Sequence, residues 1–410
     1  MNRPAIAFVW QRDRDALGRA LAQGLLDAGH EVSCFVRGAL SNVSSGLPAP
    51  AAARSGAARS GAVALPGAAA RSGPQPGSCA ARLREAPTLA SAVKGAEVVL
   101  TLLSSPQEAE DVYLGEGGVF EKAHDAGLFI DLGTSSPRLA KELYALAAVH
   151  DQCFVEAPLE LSFQEPPADG LAPSALRAFA AGDPDSLQRA LPVLGLLVPE
   201  VVDAGLPGCG VACKLASQIA VAGALMGVVE AVTFALLVGV EPARIPQVLE
   251  HGAASSVVAR AFGKRILDEE FYQGGDLRLF FNELTSALDV ADSLDLALPG
   301  LETAHQLYDL LVLIGGGKKG IHALALIYYD EKRCVAHGLD WELAQRAMDV
   351  YERANENCSG CAYGDDYEYD YDDDEDCDED ACGHSHRSRS SPHHPDDDDI
   401  PLMGGYFSSN

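Results

Sequence analysis

Residues 5–9 (AIAFV) are a short continuous apolar run, the pattern of a strand covered on both faces. Residues 16–28 (ALGRALAQGLLDA) space their apolar positions at three and four, which predicts a helix, and Gly29-His30 punctuates it. A second strand follows at 31–36 (EVSCFV). Together these form a β-α-β unit, the opening of a parallel, doubly wound sheet. Residues 41–77 interrupt the pattern with Ala, Gly, Ser, Pro and Arg, and AARSG recurs at 52–56, 57–61 and 69–73. Nothing there can build a core, so the stretch reads as a flexible insertion. The alternation resumes with strands at 96–103 (AEVVLTLL), 128–133 (LFIDLG), 153–159 (CFVEAPL) and 175–182 (ALRAFAAG). The alanines of the last leave helix open as its alternative.

From residue 209 the character changes. CGVACKLASQIAVAGALMGVVEAVTFALLVGV (209–240) predicts one long helix, apolar on nearly all sides and so expected to be buried between domains or between subunits. Further helices are expected at roughly 242–251, 255–267, 276–295, 299–313, 320–330 and 340–354. The reading is an α/β Rossmann-type domain over 1–207, an all-α domain over 208–354 and a tail over 355–410.

Charge sharpens that division. The 410 residues carry a net charge of −29, and 17 of the acidic groups sit in residues 355–410 against two arginines. About half the excess is therefore in the tail, which reads as acidic, solvated and disordered, suited to a basic protein partner. A chain this acidic would be repelled by a phosphate backbone, which argues against nucleic-acid binding. The longest uncharged helical run, Leu215–Val229, is 15 residues closed by Lys214 and Glu230, short of a membrane span. The start, MNRPAIAFVW, has no signal-like run, so a cytoplasmic protein with free thiols is expected. Cys358 and Cys361, then Cys377 and Cys382, stand at spacings that touch the zinc-ribbon pattern. The acidic stretch between the pairs has almost nothing to pack, which disfavours zinc there. Cys209 and Cys213 have no His or acid at ligand spacing, so packing is the simpler reading.

Six segments in order resemble the β-hydroxyacid dehydrogenases, the group of 3-hydroxyisobutyrate dehydrogenase. They are LLDAGHEV (25–32), VVLTLLSSPQEAEDVYLGEGGVF (98–120), IDLGTSSP (130–137), EAPLELS (156–162), GCGVACKLASQ (208–218) and GGGKKGIHAL (315–324). The resemblance implies a 6-phosphogluconate dehydrogenase-like fold, a homodimer paired through the helical half, and NADP- or NAD-dependent hydride transfer at a hydroxyl or carbonyl of a small-molecule substrate. Lys214, early in a helix expected to be buried, would be the proton-transfer residue. Gln218, one turn on, would orient the substrate, with Glu160 and Asn282 lining the pocket. Leu103, Ser104 and Thr134 would line the cofactor groove.

The chain departs from the family's pattern at several of these positions. The family's G-x-G-x-x-G reads WQRDRDALG (10–18), and only Gly18 remains. Asp13 and Asp15 stand near the lost glycines, where a carboxylate repels a diphosphate. Asp15 as a helix cap is one reading; Arg12 and Arg14 as substitute phosphate ligands is the other. Arg37 at the end of the second strand leans towards NADP. The family's S-G-G, which holds the substrate carboxylate, reads Glu160, Leu161, Ser162, and its K-D reads Asn282-Glu283. Near the end, where the family has Asp and Ser, stand Gly320 and His322, and a lone His in a helix reads first as structural. Two functions fit: an oxidoreductase with an altered substrate, or a catalytically inactive member kept as a scaffold or binding protein.

Overall fold

The computed structural model describes residues 3–38, 83–162, 173–272 and 276–346. The expectations for the 41–77 insertion and for the tail, Cys358, Cys361, Cys377 and Cys382 included, lie outside the described residues.

The α/β half runs β1 (Ile6–Gln11), α1 (Asp15–Asp27), β2 (Val32–Arg37), β3 (Arg84–Glu85), α2 (Leu89–Val93), β4 (Val98–Leu102), α3 (Pro106–Leu114), α4 (Val119–Lys122), β5 (Leu128–Asp131), α5 (Pro137–Val149), β6 (Cys153–Glu156), β7 (Leu159–Leu161), β8 (Leu176–Ala181), α6 (Pro184–Leu197) and β9 (Glu200–Gly205). The sheet order is β3-β2-β1-β4-β5-β6-β8-β7, with β9 paired to β8. Strands β1 to β6 pair in parallel, and β8 is antiparallel to β6 and β7. This is the Rossmann arrangement, with a crevice beyond the strand ends where β1 meets β4.

The unbroken apolar runs follow from burial on both faces. Ile6, Phe8 and Trp10 point into one core with Leu21 and Leu25 of α1, while Ala7 and Val9 point into the other with Tyr113 and Leu143. The Ser-Pro pairs after β4 and β5 start helices. Ser105 and Ser136 each accept a backbone N–H from the first turn, and Pro occupies the first helical position. The predicted strand at 153–159 is two short strands instead, because it turns at Ala157-Pro158, where a ladder donor is missing. Residues 176–181 take the strand reading.

The helical half holds α7 (Cys209–Leu237), α8 (Ile245–Glu250), α9 (Val257–Leu267), α10 (Leu277–Asp292), α11 (Pro299–Leu313) and α12 (Glu331–Ala336) around one core. Residues Ile321–Tyr328, expected as a helix, wind as a tighter 3-10 run. By length and composition alone α7 could cross a membrane. Here it packs against α9, α10, α11 and the strand pair β8–β9. Within the single chain one face of α7 stays uncovered. Ala216, Ala220, Gly223, Gly227 and Ala231 form an exposed face, and Phe234 and Leu237 are exposed near its C-terminal end.

Candidate functional site

The long helix α7 begins at Gly208, whose φ of +92° suits glycine. Its first turns are tied to the sheet by Glu156 at the end of β6. One carboxylate oxygen, Oε1, accepts from the N–H of Gly208 at 2.5 Å and of Gly210 at 3.0 Å, satisfying donors that a helix start leaves free. Burial pushes the Glu156 carboxyl up to about 7, against the opposing pull of these backbone hydrogen bonds. Its register neighbour Asp131, at the end of β5, is also buried. Burial pushes Asp131 up to about 6, although it accepts from Thr101 Oγ1 at 2.8 Å and the Gly133 N–H at 3.2 Å.

This clamp delivers Lys214 and Gln218, both buried, to a pocket between the two halves. There they meet Glu283 of α10. Lys214 Nζ lies 3.4 Å from Glu283 Oε2, and Gln218 Nε2 donates to the same oxygen at 2.6 Å. Thr134 Oγ1, just beyond β5, donates to Glu283 Oε1 at 2.8 Å. One buried carboxylate thus gathers a cation, an amide and a hydroxyl from α7 and the strand ends. Such a pair persists out of water only when its remaining hydrogen-bonding capacity is also satisfied.

Arg14, Leu103 and Thr134, expected at the cofactor, and Glu160, Lys214 and Gln218, expected at the substrate, all line this one pocket. Glu160 projects from β7, 5 % exposed, and its Oε2 accepts from Arg177 Nε at 2.6 Å across the β7–β8 ladder. Arg14 is 9 % exposed and its Nε has no hydrogen-bond partner.

The expectations for Asn282, Asp15 and Cys213 are corrected. Asn282 does not line the pocket; the helix turns its neighbour Glu283 inward instead. That neighbour was legible as the acid of the Asn282-Glu283 pair, but only the fold shows which of two adjacent residues faces inward. Arg37, expected to lean towards a 2′-phosphate, has protein partners. It donates to the Glu108 carbonyl and pairs with Asp111 at 3.1 Å, because α3 presents both acceptors beside the end of β2. Ser104, expected in the cofactor groove, donates its hydroxyl to the Asp13 carboxylate at 2.8 Å. Arg12 is exposed. Asp15 caps nothing through a helix-start hydrogen bond; it accepts from Trp10 Nε1 at 3.0 Å and Arg19 Nε at 2.9 Å. Gly18 packs under the Trp10 ring. Cys213 is exposed rather than packed in a core, and no metal-holding cluster is present among the described residues. His322 is structural: fully buried, stacked on Phe262, and held down to about 4 by burial.

The crevice can be tested for a nicotinamide dinucleotide on these side chains. A diphosphate there needs donors or cations at the β1–α1 turn. The turn offers the guanidinium groups of Arg12 and Arg14, and a buried guanidinium with an unpartnered nitrogen is what an anion completes. Asp13, which accepts from the Ser104 hydroxyl, stands at the same turn. The group fits through side-chain charge rather than through glycine N–H donors.

The helical half, residues 208–328, matches the family described as NAD-binding of NADP-dependent 3-hydroxyisobutyrate dehydrogenase. Residues 67–205 match the NAD binding domain of 6-phosphogluconate dehydrogenase, a match that begins after the first β-α-β unit. The chain is 32 % identical to a probable 3-hydroxyisobutyrate dehydrogenase-like protein of Arabidopsis thaliana, over 58 % of this chain and 69 % of that one. It is 27 % identical to 2-hydroxy-3-oxopropionate reductase of Escherichia coli, over 58 % and 80 % of the two chains. In fold it is similar to Mycobacterium tuberculosis 3-hydroxyisobutyrate dehydrogenase, with a TM-score of 0.60 and 19 % identity over 79 % of this chain and 100 % of that one.

Proposed function

Because the chain belongs to the β-hydroxyacid dehydrogenase family, whose members are NAD(P)-dependent, we propose that it oxidises or reduces a small hydroxyl or carbonyl compound, with Lys214 as its proton-transfer residue. The observation that carries this reading is the Lys214–Glu283–Gln218–Thr134 cluster at the pocket. The bound nicotinamide cofactor supplies or takes the hydride. In the reducing direction the Lys214 ammonium gives its proton to the substrate oxygen as the carbonyl carbon becomes an alcohol. In the oxidising direction the amine takes that proton back. Glu283 positions Lys214 and Gln218 by accepting from both. Gln218 keeps one amide N–H and its carbonyl for the ligand, and Arg14 and Arg12 hold the cofactor's phosphates.

A second reading has one observation in its favour. The Asp13–Ser104 hydrogen bond ties the β1–α1 turn to the segment after β4, and a member that has lost its cofactor keeps that contact as a binding protein.

Titration of the purified chain with NADPH and NADH, followed by nucleotide fluorescence, separates the two. Micromolar binding, with turnover that falls about a hundredfold or more in Lys214→Ala while nucleotide affinity holds, supports the dehydrogenase. No binding at millimolar nucleotide leaves only the binding protein, and unchanged turnover in Lys214→Ala removes the role of that residue.

A further inference from the structure

Resting on the reading of this pocket as the substrate site, we infer that Glu160 is its specificity residue and selects a substrate carrying an N–H or O–H donor remote from the reacting oxygen, not a second carboxylate. Glu160 lines the same pocket as Lys214, between the apolar side chains of Leu159, Leu161 and Leu176. Its side chain is 95 % buried and only half satisfied. Oε2 is taken by Arg177, while Oε1 has no hydrogen-bond partner. The residue cannot turn away to find one. Glu160 and Arg177 are cross-strand partners in the β7–β8 ladder, and the Arg177 guanidinium is itself held over the Phe179 ring at 4.9 Å.

A buried acceptor without a donor is costly to leave unmade, and a ligand that brings the donor recovers that cost. A ligand carboxylate brought against Glu160 would meet a second carboxylate across apolar side chains, with Arg177 already engaged on Oε2. The open space is about 80 Å³, less than the roughly 150 Å³ cavity that admits benzene. The class is therefore a small hydroxy- or oxo-compound whose far end is an amine, amide or alcohol.

The test is calorimetric binding to the full chain with three ligands of one backbone: 3-aminopropanol, 3-hydroxypropanamide and 3-hydroxypropanoate. The wild-type chain is expected to bind the amine and the amide about tenfold or more tighter than the acid. Glu160→Gln keeps an acceptor for Arg177 and presents an amide, and the gap is expected to shrink to within about threefold. Arg177→Met leaves Glu160 unneutralised and is expected to move preference further towards the amine; thermal melts of both variants check that they fold. Equal or tighter binding of the acid, a gap unchanged in Glu160→Gln, or no binding of any of the three overturns the inference. Binding is read without turnover, so a catalytically silent chain that keeps the preference refutes the dehydrogenase reading alone. An active chain without the preference refutes this inference alone.

Discussion

The two ends of the pocket are built on opposite principles. At the α7 end the charged groups are paired: Glu283 holds Lys214, Gln218 and Thr134, and Oε1 of Glu156 holds the start of the helix that carries two of them, while Glu156 Oε2 has no partner. At the β1–α1 end the groups are left over or only loosely tied. Arg14 is buried with an unpartnered nitrogen, and Asp13 reaches across exposed surface to Ser104. The first end is preorganised and would act as it stands. The second needs a ligand, or a rearrangement, to be complete.

The largest effect should come from breaking the complete end. Glu283→Leu leaves the Lys214 ammonium buried without its partner and orphans the donors of Thr134 and Gln218, and chemical denaturation should register a loss of about 3–5 kcal/mol. Pairing it with Lys214→Met should restore part of that loss, since an apolar pair of similar volume avoids the desolvation penalty. Full additivity of the two losses would mean that the ion pair is not the reason.

The clamp makes a pH prediction. Glu156 titrates near its usual 4.5 when unfolded and about 7 when folded. Between these values the folded chain binds more protons than the unfolded one, so this contribution is fully present below about 4.5 and is lost as pH rises through about 7. Glu156→Gln should flatten the decline by roughly 2–3 kcal/mol in denaturation curves taken across that window. Asp131, pushed up to about 6, should leave a smaller residual slope of the same sign.

At the other end, Gly18→Ala would set a Cβ at 2.6 Å from the Trp10 ring, and melting should show a cost of about 1–3 kcal/mol. The smallest stability effect belongs to Asp13→Ala, within about 0.5 kcal/mol because the contact is exposed. The same change removes a carboxylate from the diphosphate's path, so nucleotide titration should find tighter NADPH binding. Unchanged or weaker binding would mean that the Asp13–Ser104 contact does not obstruct the crevice.

Much of this was legible in the chain itself. Apolar runs at 5–9, 96–103 and 128–133 announce strands buried on both faces, and the change of period at 209 announces a helical half, because those patterns follow from local geometry alone. Lys214 stood out as a charge in an apolar run, and Gln218 and Glu160 came from the resemblance of 156–162 and 208–218 to the family's segments. The turn at Ala157-Pro158, which ends β6 early and starts β7, is a local signal that a reading by apolar run length alone passes over.

Partnership is what the tertiary structure decided. Glu283 rather than Asn282 faces the pocket, since the roll of α10 about its axis is set by packing against α7 and α11. Arg37 is spent on Asp111, 74 residues away in the chain, and Glu160 is tied to Arg177 while Arg14 finds no partner. Amino-acid spacing fixes which groups share a face of one element. Which charge meets which depends on how separate elements close on one another, and with it which charges stay free for a ligand.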